Sequence, residues 1–145
     1  MNYNRTLYTV EGLKKYAPRF RKVVRAIVAE DKNVVGLIST GSSGACIATA
    51  ILLGNGLELD HIHVKVRSSH DTKIKGGKWQ YPRGNYIFVD DFMDTGGSVL
   101  RCVRELKRKK HIDVTPPVIK YIVCTASEQC YLDKRIQKNF KIKYV

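Results

Sequence analysis

From residue 10 the chain repeats its apolar positions at helical spacing. Leu13, Tyr16, Ala17, Phe20, Val24, Ile27 and Val28 fall at i, i+3, i+4 and i+7, with Lys14, Lys15, Arg19, Arg21, Lys22 and Arg25 on the other face. The spacing predicts an amphipathic helix over residues 10–30, and Pro18 predicts a kink in it or a break near Ala17. The period then changes. Val34-Val35-Gly36-Leu37-Ile38 is short and apolar, as a strand buried on both faces requires. Ser39 to Gly44 is a run of small residues that reads as a loop. Ala45 to Leu53 predicts a helix apolar nearly all round. His61 to Val66 alternates like a strand and puts His61 and His63 on one face. Tyr86 to Val89 and Val118 to Cys124 predict two more buried strands. Between them, residues 97–110 predict a helix with Val99, Leu100, Val103 and Leu106 inward. A short helix over Ser127 to Gln137 and a last strand over Phe140 to Val145 complete the pattern. Strands alternating with helices predict an α/β fold, a mainly parallel sheet flanked by helices. Neither a repeat nor a linker divides the chain, so residues 1–145 read as a single domain.

Length and composition narrow this. At 145 residues the chain is long enough for one real core. No apolar run approaches the ~20 residues of a membrane span, and Met1 to Arg5 leads into no apolar signal core. A cytoplasmic location is expected. Cys46, Cys102, Cys124 and Cys130 form no CxxC pair, and the first three lie in apolar patterns, so reduced core thiols are expected. There are 26 Lys and Arg against 13 Asp and Glu, a net charge of +13, which attracts polyanions. Nucleic acid and a polyphosphorylated small molecule fit that charge equally well. The cations of residues 10–30, and those of Lys107 to Lys110, read first as solvated helix faces.

The candidate chemistry gathers in residues 86–99. A buried strand ends in Asp90 and Asp91, and Asp94-Thr95-Gly96-Gly97-Ser98 then opens a helix. Ligands of a parallel α/β sheet sit beyond the C-terminal ends of its strands. Glycines let successive N–H groups face one concavity, and a helix N-terminus adds its positive dipole end. Thr95 and Ser98 add hydroxyls. The acid pair can accept hydrogen bonds from sugar hydroxyls or hold a divalent cation. Ser39 to Gly44, after the first strand, makes a second and weaker anion cradle. His61 and His63 lack a visible third ligand, so exposed strand residues are expected rather than a metal site. Residues 67–84 are long, polar and glycine-bearing, and read as a lid over the site in preference to an exposed hairpin. A Walker B reading of Asp90-Asp91 fails for want of an upstream GxxxxGK[ST], and Gly41 to Gly44 does not supply GxGxxG. A receiver-type acidic pocket leaves Thr95 to Ser98 unexplained.

Taken together, the apolar strand, two acids, three residues and Thr-Gly-x-Ser resemble the phosphoribosyl-diphosphate (PRPP) motif of the type I phosphoribosyltransferases. The residue before Thr95 is Asp94, which is similar to the purine branch, the xanthine-guanine and hypoxanthine-guanine enzymes. The resemblance covers roughly residues 8–125. It implies a Mg²⁺-dependent enzyme that moves a phosphoribosyl group from PRPP to a purine or purine-like base. Asp90 and Asp91 would hold the ribose and the metal. Asp94, Thr95, Gly96, Gly97 and Ser98 would hold the 5′-phosphate, and Ser39, Thr40, Gly41 and Ser42 the diphosphate. Asp94 would be catalytic, exchanging a proton with the base. Ser69, His70 and Asp71 would belong to a flexible loop. The position that reads the base falls at Thr125, with Lys120 near it in sequence, and the family's hood over the base is expected to be reduced or absent. The implied partners are PRPP, a nucleobase and further copies of the chain, as a homodimer or higher homo-oligomer; no membrane is implied, and nucleic acid is the less favoured partner. The alternative is a non-catalytic sensor of PRPP or a nucleotide on the same fold, binding RNA through its basic faces.

Overall fold

The computed structural model describes residues 9–54, 56–65, 82–108, 117–127 and 132–145. In chain order they form α1 (Val10–Glu30), β1 (Val34–Ser39), α2 (Gly41–Leu52), β2 (Asp60–His63), β3 (Asn85–Val89), β4 (Phe92–Met93), α3 (Gly97–Arg108), β5 (Val118–Cys124), β6 (Ala126–Ser127), α4 (Lys134–Asn139) and β7 (Lys141–Tyr144). Five strands make one sheet in the order β2-β1-β3-β5-β7, and every neighbouring pair is parallel. The expected α/β architecture is therefore present. β4 and β6 form a separate two-stranded parallel pair.

Both faces of the sheet are covered. Along β3, Ile87 and Val89 pack with Phe20, Val24 and Ile27 of α1 and Ile47 and Ile51 of α2. Tyr86 and Phe88 turn the other way, to Val99, Cys102 and Leu106 of α3 and Ile136 of α4. Residues that alternate between two buried faces must all be apolar, so this strand reads as a continuous apolar run. Cys102 and Cys124 are buried as expected, and burial pushes the Cys102 thiol up to about 12, which leaves it protonated and inert. Cys46 corrects the pattern: it lies on the outer side of α2 and is exposed. Cys130 is outside the described residues. None of the helices among those residues is long and apolar enough to cross a membrane.

Several boundaries differ from the expected ones. α1 runs through Pro18 without a break near Ala17. Ala17, Phe20, Val24 and Ile27 are buried along one stripe on either side of the exposed proline, and that packing holds the helix together. α2 begins at Gly41, so the small-residue loop is its first turn. β2 ends at His63, one hydrogen bond beyond which Val64 N donates to Ser39 O. The short helix starts at Lys134 because Asp133 caps it, its carboxylate accepting from Arg135 N at 2.8 Å; Ser127 lies in β6 instead. The proposed lid lies almost wholly outside the described residues, as do Ser69, His70 and Asp71.

The end of the sheet away from the site is tied by one carboxylate. Asp31, which ends α1, accepts from Tyr121 Oη at 2.9 Å, Asn85 Nδ2 at 3.0 Å, Lys120 Nζ at 3.1 Å and Asn33 N at 3.0 Å. The Tyr121 hydroxyl, then the Asn33 amide, Lys120 and Asn85, outweigh partial burial and hold its carboxyl far below the usual carboxylate range. A depressed pKa contributes stability that is full above the unfolded value, ~3.9, and is lost as pH falls through the folded one. Asp31→Asn is therefore expected to lower the melting temperature by several degrees at pH 7. The gap to the wild type should close below about pH 4. Thermal melts at neutral and acid pH check it, and a gap that stays constant with pH would count against the carboxylate's charge as its source.

Candidate functional site

Consecutive chain segments place β2 on one side of β1 and β3 on the other. The connections leaving β1 and β3 therefore diverge, and a crevice opens beyond the C-terminal ends of these two strands, where α/β sheets bind ligands. β1 ends at Ser39 and β3 at Val89, so Thr40 to Ser43 and Asp90-Asp91 stand at this crevice. Ser43 Oγ reaches across to donate to Asp90 Oδ1 at 3.5 Å. Gly44 permits that approach, since a Cβ there would meet Val89 O at 3.3 Å.

The acid pair is held by its own backbone. Asp91 N donates to Asp90 Oδ1 at 2.9 Å, and Phe92 N donates to Asp91 Oδ1 at 2.7 Å. Thr125 N donates to Asp91 O at 2.7 Å and the Thr125 hydroxyl donates to the same oxygen. Burial, and then the hydrogen bond with and the charge of Asp91, push the Asp90 carboxyl well above the usual carboxylate range. Two carboxylates this close need a proton or a cation between them.

Past the acids, β4 pairs with β6 and carries the chain into the loop. Asp133 N donates to Thr95 O at 2.9 Å, and Gly97 N donates to Thr95 Oγ1 at 3.2 Å. Gly96 has φ 84°, a left-handed conformation suited to glycine, and lies directly against Ile136. The loop is thus clamped from α4. A cleft of about 240 Å³ opens over it, lined by Asp94, Thr95, Gly96, Gly97 and Ser98 together with Asp90, Phe92 and Arg101. The first amides of α3 lie at this cleft without helical partners, and its dipole adds positive potential. An anion is the natural occupant.

Asp90 and Asp94 to Ser98 are therefore brought to one cleft, with Asp91 adjoining. The second cradle stands apart from its walls. Ser39 is wholly buried, with its hydroxyl hydrogen-bonded to His61 Nε2 at 2.7 Å and His63 Nδ1 at 2.9 Å. The Thr40 hydroxyl donates to Val64 O at 2.8 Å. What these positions leave for a ligand is the first turn of α2, entered through Gly41 at φ 68°. His61 is half-buried and His63 exposed, so the expected exposed strand pair is in part a pair of ligands to Ser39 Oγ. No group of three metal-ligating side chains occurs among the described residues. Lys120, close in sequence to the position expected to read a base, sits at the far end of the sheet on Asp31.

Arg101 was not among the expected site residues; its side chain, exposed on α3, lines the cleft. It stands four residues after Gly97, on the same helical face, and that spacing was the available signal. Asp133 and Ile136 were also missed. They act across the fold, with no local signal.

No family model matches the chain, and no curated protein matches it by sequence. Solved structures do match. An orotate phosphoribosyltransferase from Aeropyrum pernix superposes with a TM-score of 0.70 at 13% identity, over 98% of this chain and 75% of that one. An adenine phosphoribosyltransferase from Saccharomyces cerevisiae, complexed with an imino-altritol bisphosphate and adenine, gives 0.68 at 14% identity, over 99% and 83%. The orotate phosphoribosyltransferase of Mycobacterium tuberculosis, in complex with PRPP, gives 0.65 at 13% identity, over 100% and 78%. The fold is that of the type I phosphoribosyltransferases.

Proposed function

We propose that this chain transfers the phosphoribosyl group of PRPP to a purine or purine-like base and releases diphosphate. One observation carries the reading. Asp90 and the loop Asp94 to Ser98 line one cleft, at the switch point of a sheet shared with phosphoribosyltransferases. The 5′-phosphate sits on the loop amides and the Thr95 and Ser98 hydroxyls, beside the Arg101 guanidinium. Asp90 and Asp91 accept hydrogen bonds from the ribose hydroxyls. The first turn of α2, from Thr40 to Ser42, takes the diphosphate. The donor set fits Mg²⁺: close carboxylates, one with its charge disfavoured by burial and by its neighbour, are relieved by a hard cation. Held by Asp90 and Asp91, Mg²⁺ when bound supplies neutralising charge to the diphosphate. Donors fixed in advance at the leaving group and at the phosphate favour the charge-separated, oxocarbenium-like state without reorganising. Asp94, exposed at the mouth of the cleft, exchanges a proton with a ring nitrogen of the base.

A second reading, a PRPP sensor without turnover, has one observation in its favour. Lys120 is engaged by Asp31 and the Thr125 hydroxyl by Asp91 O, so neither stands ready to read a base. One experiment separates the two. The protein is incubated with labelled PRPP, Mg²⁺ and a panel of purines and orotate, and diphosphate release is followed. Release with at least one purine is expected, and Asp94→Asn should cut kcat by about a hundredfold with PRPP affinity unchanged. PRPP binding without release on any base would establish the sensor. Full activity in Asp94→Asn would remove Asp94 from the proton transfer.

A further inference from the structure

Part of the excess positive charge gathers on one side of the sheet. α1 exposes Lys14, Lys15, Arg19, Lys22 and Arg25 against two acids, Glu11 and Glu30. On the same side of the sheet, edge strand β7 exposes Lys141 and Lys143, which pair with Tyr121 and Val123 of the α1-side core. Between the helix and the edge strand runs a groove of about 460 Å³. Val23, Ile27 and Val145 give it an apolar floor. Arg19 and Lys22 stand on one bank and Lys143 on the other, with Glu30 the acid at one end.

We propose that this groove binds a single-stranded nucleic acid, independently of the cleft above Asp90. The cations form a row rather than a cluster. Lys15, Arg19 and Lys22 follow one another at i, i+4 and i+7, about 4.5–6 Å apart along the axis. Such a row suits a repeating anion better than one isolated phosphate. Like charges held side by side repel, and a polyanion relieves that repulsion. The apolar floor between two cationic banks accepts base faces while the phosphates lie along the banks. A second copy of the chain fits poorly, because it would bring the same cations face to face. A flat anionic membrane does not reach the floor of a groove.

The test is fluorescence anisotropy with a short labelled single-stranded RNA of mixed sequence, on the full chain and across a salt series. Binding is expected, with log affinity falling against log salt at a slope of about −2, as for three phosphate contacts on a single strand. Arg19→Glu with Lys143→Glu should weaken it at least about tenfold and shallow the slope by about 1.4. Arg104→Glu with Lys107→Glu, an equal charge change on the exposed side of α3, should leave it nearly unaltered. Saturating PRPP should not displace the RNA, which separates the groove from the cleft. In the wild-type protein, bound RNA should protect Lys22 and Lys143 from acetylation, a readout that needs no variant to fold. The proposal is overturned if RNA does not bind at low salt, if the α3 control weakens it equally, if PRPP competes, or if Lys22 and Lys143 are not protected. It is also overturned if polyglutamate or anionic vesicles bind as tightly with the same dependence on Arg19 and Lys143.

Discussion

Asp90→Asn combined with Asp91→Asn is expected to weaken PRPP binding in the presence of Mg²⁺ by about a hundredfold or more, the loss of ~3 kcal/mol that follows removal of buried charge partners. The same double variant should be at least as stable as the wild type without ligand. Asparagine keeps the oxygens that accept from Asp91 N and Phe92 N, at 2.9 and 2.7 Å, so the backbone of the turn keeps its acceptors. What disappears is the charge that burial and proximity oppose. The sign follows from the direction of the shift. The folded pKa of Asp90 is raised, so its contribution is present below the unfolded value, ~3.9, and is lost as pH rises through the folded value. The unliganded wild type should therefore lose stability from about pH 4 upward, and the double variant should lose less. This window lies above the one governed by Asp31, so the two titrations separate. Calorimetric PRPP titrations and melts across that range check both halves. Unchanged PRPP affinity would take the carboxylates out of the site.

Gly96→Ala is the second large effect. At φ 84° an L side chain costs about 1–2 kcal/mol, and the new Cβ would lie 2.6 Å from Ile136 Cγ1 and 3.1 Å from its Cδ1. Ile136 is wholly buried and cannot swing away, so overpacking adds about 1–3 kcal/mol. The sum, roughly 2–5 kcal/mol, corresponds to a melting temperature lower by about 10 °C in a chain of this length. The loop that must give way is the one over the cleft, so affinity for PRPP, and for inorganic phosphate alone, should fall at least about tenfold. Stability lost with phosphate affinity intact would separate the loop from the anion site.

Much of this was legible in the residues. β3, β5 and α1 fall where the apolar patterns put them, because a strand buried on two faces leaves a short continuous apolar run and a helix buried along one stripe leaves a helical period. The carboxylates and the loop could be placed on the strand end and helix start from spacing alone. The first turn of α2 was not legible. Glycine and serine are poor helix formers, yet the helix begins at Gly41, with Gly44 packed closely against Ser39 of β1 and Val89 of β3. β4 and β6 are two residues each, too short for any period. The contacts that set the cleft's shape run from Asp133 to Thr95, from Ile136 to Gly96 and from Thr125 to Asp91. They join segments more than thirty residues apart and carry no local signature. The same holds for Asp31, which local pattern shows only as the end of a helix.

The central claim is that the crevice beyond β1 and β3 holds a sugar phosphate on the loop before α3. Its most direct test is an amide chemical-shift titration of the wild-type protein with PRPP and Mg²⁺. Saturating shifts are expected at Asp90, Asp91, Gly96, Gly97, Ser98 and Arg101. Shifts confined to Arg19 to Glu30 and Lys143 to Val145, with the loop unmoved, would contradict the claim.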